Sequence, residues 1–71
     1  MDQKARRSLR ISLGMHVREL SKRSGVAQDR YELAEIGLAH LTPQEQAVVD
    51  EVLRHAIEER TAYLAMALES L

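Results

Sequence analysis

Apolar residues recur at helical spacing along the chain, interrupted by three glycines and one proline. The stretch Asp2–Leu13 predicts a first helix, with Leu9 and Leu13 one turn apart on one face and Arg6 and Arg10 beside them. Gly14 stops it, and Met15 begins the next core contact. A second helix is predicted over Val17–Ser24, with His16 at its N-cap and Val17, Leu20 and Ser21 turned inward. A third runs from Gln28 to Ile36. Tyr31, Ala34 and Glu35 share one side of it; Gln28, Asp29, Glu32 and Leu33 lie on or near the other. Gly37 ends this helix. The connection Leu38–Leu41 supplies two leucines to the core.

Thr42-Pro43-Gln44-Glu45 is the clearest local signature. Thr42 can cap, Pro43 suits a first helical position, and Glu45 can reach back to the cap. No glycine or further proline follows through Leu71. The pattern fits one long helix, or two joined by a bend near Ala56–Glu59. Val49, Val52, Leu53, Ala56 and Ile57 form its first apolar stripe. Tyr63, Leu64, Ala67, Leu68 and Leu71 form a second, widened by Ala65 and Met66.

Leu20 and Tyr31 fall on opposite sides of Gly25-Val26 and can meet only if the chain reverses there. Gly25 can take the left-handed conformation that such a reversal needs. Val17–Gly37 therefore reads as a helix, a short turn and a second helix.

At 71 residues the chain makes one domain near the lower size limit for independent folding. With no cysteine, neither a disulfide nor a thiolate metal site can support it. With no Trp or Phe and two Tyr, the core must be aliphatic. Association with a second copy is the remaining common device. The second stripe suits it: the core is complete by Ile57, and Ala62–Leu71 then lacks a partner unless it folds back on its own domain.

The net charge of −1 conceals a division. Residues 1–30 carry eight cations against three acids, +5; residues 31–71 carry two against eight, −6. A basic half and an acidic half suggest a nucleic-acid face and one turned away from it. Lys4, Arg6, Arg7, Arg18, Lys22 and Arg23 are the cations expected to reach the DNA backbone, where such contacts dominate affinity.

Arg10-Ile11-x-Leu13-Gly14, Glu19-Leu20, Gly25-Val26, Gln28, Glu35 and Gly37 resemble the helix-turn-helix of lambdoid phage Cro and repressor proteins, within the XRE-type regulators. The likeness runs without a gap over Arg6–Leu53. It implies an all-α fold, a compact four-to-five-helix domain over residues 1–57. The last eighteen residues or so lie outside the likeness, and the apolar stripe, not the family, marks 58–71 as a C-terminal helical extension for dimerisation. The likeness also implies that Gln28–Ile36 is a recognition helix in the major groove. Gln28 would pair with adenine, Asp29 would accept from cytosine, Arg30 and Glu32 would flank them, and Leu33 would touch a thymine methyl. Arg10 and Glu35 match a structural salt bridge of the relatives.

The chain departs from the family pattern at three places. His16-Val17 stands where Thr-Gln is usual, Ala27 stands where serine is usual, and Asp29 and Glu32 put negative charge on the reading face. The expected function is a sequence-specific DNA-binding regulator, a repressor that meets an inverted-repeat operator as a homodimer. The dimer interface is expected at Tyr63, Leu64, Ala67, Leu68 and Leu71. The alternative is a protein-binding adaptor or antagonist whose helix-turn-helix no longer binds DNA.

Catalysis is not expected. His16, His40 and His55 have no partner at i+4, no metal-ligand motif or glycine-rich phosphate loop occurs, and Asp50-Glu51 and Glu58-Glu59 diverge around a helix. No cofactor or metal is expected. Without an apolar run of eighteen residues or a leader-like N-terminus, the expected location is the cytoplasm, away from membranes.

Overall fold

The computed structural model describes residues 1–71, an all-α arrangement of four helices: α1 Gln3–Ser12, α2 Val17–Ser24, α3 Gln28–Glu35 and α4 Pro43–Glu69. Each boundary has a local chemical cause. Asp2 caps α1, its carboxylate accepting from the Ala5 N–H at 2.8 Å. His16 caps α2 through its ring Nδ1, which accepts from the Arg18 N–H at 3.1 Å. At the end of α2, Gly25 sits at φ 78°, and its N–H closes on the Ser21 carbonyl. Thr42 and Glu45 complete a reciprocal capping box at the start of α4, with Pro43 in the first turn.

The turn between α2 and α3 is held by side chains as well as by glycine. The Ser21 hydroxyl donates to the Val26 carbonyl at 2.6 Å, and the Ser24 hydroxyl accepts from the Val26 N–H at 3.2 Å. Val26 is thereby fixed between the helices and buried. Leu20 and Tyr31 are fully buried in one cluster with Met15, Ala34, Leu41, Val49, Val52, Leu53 and Ala56. Leu9, Leu13 and Val17 pack against its edge. Both α3 and α4 pack on α1 and α2.

Two expected core residues lie outside. Ile57 is 41% exposed. At ~100° per residue it lies about 80° round from the line of Val49 and Ala56, past the edge of the packed face. Leu38 is 73% exposed. Its N–H closes a turn on the Leu33 carbonyl at 2.8 Å, while its side chain points away from the body. Leu41 alone of the two connecting leucines is buried.

No bend interrupts α4, whose 27 residues form one helix. Such a helix is ~40 Å long, close to the 46 Å long dimension of the molecule, which is 20 × 19 Å across. Its first half lies against the body. From Ile57 to Leu71 every residue is exposed. The tail does not fold back. Arg60 makes its last link to the body, donating to the Ser12 carbonyl at 3.0 Å.

Candidate nucleic-acid interface

The packing of α3 decides which of its side chains face outward. Tyr31 and Ala34 are buried, which turns Asp29, Glu32, Leu33 and Ile36 to the solvent side. Gln28, at the first position, is half-buried, and its amide donates to Glu32 Oε1 at 3.0 Å, one turn along. The Asp29 carboxylate accepts from the Arg30 N–H at 2.8 Å. Leu33 is 43% exposed. Ile36 and Leu38 extend the apolar surface next to it and are more exposed still. Ile36 stands three residues beyond Leu33, a spacing that places it on the outer face from sequence alone.

Arg30 does not join this face. Its guanidinium donates to both carboxylate oxygens of Glu45, at 2.6 and 2.8 Å, and to the His40 carbonyl at 2.9 Å. The capping box holds Glu45 beside α3, so Arg30 ties α3 to the start of α4 instead of reaching for a base edge. That hydrogen bond from Arg30, with a second contribution from the Thr42 N–H, holds the Glu45 carboxyl down at about 2.

The expected backbone cations divide in the same way. Arg6 is 3% exposed. It donates to the two Asp50 oxygens at 2.7 and 3.1 Å and to Gln46 at 3.4 Å. It is a strut between α1 and α4, not a DNA contact, because the face of α1 that holds it is the one packed on α4. Arg23 is turned along α2 toward α4, paired with Glu19 at 3.3 Å and Glu59 at 3.0 Å. Lys4, Arg18 and Lys22 are exposed and enter no ion pair. Arg7 is exposed, with one long contact of 3.7 Å to Glu35.

Arg10 and Glu35 are joined by two hydrogen bonds of 2.7 and 2.9 Å, and Arg10 also donates to the Met15 carbonyl at 2.8 Å. This places a bidentate ion pair between α1 and the end of α3, with both side chains mostly covered. The Glu35 hydrogen bond raises the Arg10 pKa further above its usual value. Tyr31 lies alongside, its hydroxyl accepting from the Gln3 amide at 3.3 Å. Burial raises the Tyr31 pKa.

At the far end of the molecule, Tyr63, Leu64, Met66, Leu68 and Leu71 are exposed along the α4 tail, with Ala67 among them. No helix is long and apolar enough to cross a membrane. No family model, curated protein or solved structure matches the chain.

Proposed function

We propose that the chain is a sequence-specific DNA-binding regulator of transcription, a repressor that engages an operator of two inverted half-sites as a homodimer. The observation that carries the reading is the segregation of uncommitted cations. Arg6, Arg10, Arg23, Arg30 and Arg54 are taken up by carboxylates of the chain itself, and Arg60 by a carbonyl. Lys4, Arg18 and Lys22 remain unpaired and Arg7 has only a long contact of 3.7 Å to Glu35, all on α1 and α2. A set of exposed cations confined to the first 22 residues, on two of the four helices, suits a polyanion.

In this reading α2 and α3 form the helix-turn-helix that the sequence resembles, and α3 enters the major groove. Gln28 exchanges its Glu32 hydrogen bond for an adenine edge, Leu33 meets a thymine methyl, and Asp29 accepts from a cytosine amine. The tail residues Tyr63, Leu64, Ala67, Leu68 and Leu71 join two copies, so that two α3 helices meet successive grooves about 34 Å apart. Selection of bound fragments from random DNA tests the proposal. It should return two inverted half-sites about 10 base pairs apart, centre to centre. A selection that enriches no sequence removes it.

A second reading is favoured by the outer face of α3 itself. Asp29 and Glu32 beside exposed Leu33, Ile36 and Leu38 make an acidic and apolar surface, which suits a protein partner better than phosphate. Under this reading the chain is an adaptor or antagonist, and charge reversal at Arg18 and Lys22 leaves its binding unchanged.

A further inference from the structure

Where α4 leaves the body, it forms one wall of an open groove of about 570 Å³ against the corner between α1 and α2. Ile11, Leu13, Met15, Ala56 and Tyr63 are the apolar part of its lining. Ile11 is 52% exposed although it lies on a helix whose other face is packed. The rim is charged but self-neutralised: Arg23 bridges Glu19 and Glu59, and Arg60 is tied to the Ser12 carbonyl. The groove thus presents a mixed polar and apolar surface with no net charge to spare, so neither an acidic nor a basic partner is favoured there.

The chain contains a segment of that chemistry. Thr61–Leu68 is a run of eight residues without a charge, fully exposed. Its apolar sector, from Tyr63 round to Leu68, spans about 140° of the helix at ~100° per residue. A two-stranded seam uses a narrower stripe, which leaves part of the sector for a second contact. Area leads to the same conclusion. A tail-to-tail seam from Ile57 to Leu71 is ~22 Å long and about 10 Å wide. Even at twice that footprint it falls well short of the ~800 Å² per partner of a stable interface.

We infer that the groove is the seat of the α4 tail of a second copy, so that the dimer is antiparallel and each tail packs on its partner's body. The inference rests on the homodimer reading above and adds its geometry. Residues 64–71 of one copy lie over residues 56–63 of the other, with the two-fold axis passing between Tyr63 and Leu64. Ala67, on the same side of α4 as Ala56, brings a small surface to the groove, and Ile11 becomes part of the interface although it is remote from the tail in sequence. The middles of the two bodies, near position 51 of α4, then stand about 40 Å apart along the helices, of the order of one turn of DNA.

Sedimentation equilibrium and disulfide trapping on the full chain, which has no native cysteine, test this together. Ile11→Glu should weaken dimerisation at least tenfold while the monomer keeps its helical content, since Ile11 is half exposed. An oxidised mixture of Ile11→Cys and Ala67→Cys proteins should yield the mixed disulfide, and Ala67→Cys alone should not cross-link. An unweakened Ile11→Glu dimer, or efficient Ala67→Cys self-cross-linking, overturns the antiparallel seat and leaves the homodimer standing. A native chain that stays monomeric up to millimolar concentration removes both.

Discussion

Arg6 and Asp50 stand 44 positions apart in the chain and meet through hydrogen bonds of 2.7 and 3.1 Å, fastening α1 to α4. Asp50 retains some solvent contact, whereas the arginine is sealed. Arg6→Ala should therefore lower stability by about 2 kcal/mol, read as a fall in the denaturant midpoint. Arg18→Ala and Lys22→Ala should stay within about 0.5 kcal/mol of the parent. The same three variants should rank in the opposite order for DNA affinity once measured well below the melting temperature.

The Arg10–Glu35 pair is the better shielded of the two. Glu35→Ala leaves Arg10 with the Met15 carbonyl as its remaining acceptor and should cost about 3 kcal/mol. Arg10→Met with Glu35→Leu removes both charges and should recover most of that loss. Chemical denaturation of the two single variants and the double variant checks this. A double variant no more stable than the worse single would show that the pair does more than satisfy its own charges.

Stability should depend on pH through Glu45. Its folded-state carboxyl is held at about 2, below the usual carboxylate value of 4.5, by Arg30 first and the Thr42 N–H second. A depressed value means stability that is present above pH ~4.5 and lost as pH falls toward 2. Glu45→Gln should flatten the dependence of the melting temperature in that window while leaving the rest of the curve parallel. An unchanged slope between those values would place the acid sensitivity elsewhere.

Gln28 and Glu32 give opposed expectations on DNA. Gln28→Ala should relax preference at one base pair by ~1–3 kcal/mol without altering affinity for unrelated sequence. Glu32→Gln removes a charge from the reading face, so it should strengthen binding to all sequences. Competition gel shifts with single-position operator variants distinguish the two. Uniform loss for Gln28→Ala would make it a phosphate contact.

What the sequence disclosed was what depends on neighbours along the chain. Gly25 at the reversal, His16 at its cap and Thr42-Pro43 with Glu45 are each decided within four or five residues. Arg6 and Ile57 were misplaced because their exposure depends on the angle at which α1 and α4 meet, which no local pattern encodes. Leu38 looked like core by composition, yet the turn after α3 directs it outward. Arg30 shows the same effect at the candidate site: its position on α3 suggested a base contact, and a carboxylate fifteen residues away claims it. Arg10 and Glu35 pair across 25 positions, a juxtaposition that spacing along the chain does not reveal.

The dependence of operator affinity on salt tests the central proposal most directly. The four exposed cations per copy that no close ion pair holds, Lys4, Arg7, Arg18 and Lys22, make about eight phosphate contacts in a dimer. That predicts a slope of log K against log salt of about −7. Had Arg6 and Arg23 also reached the backbone, the slope would be about −11. Fluorescence anisotropy between 50 and 200 mM salt should give the shallower value, reduced by about 2 in the Lys22→Ala dimer. A slope near zero, or no binding at the lowest salt, would contradict DNA recognition by this chain.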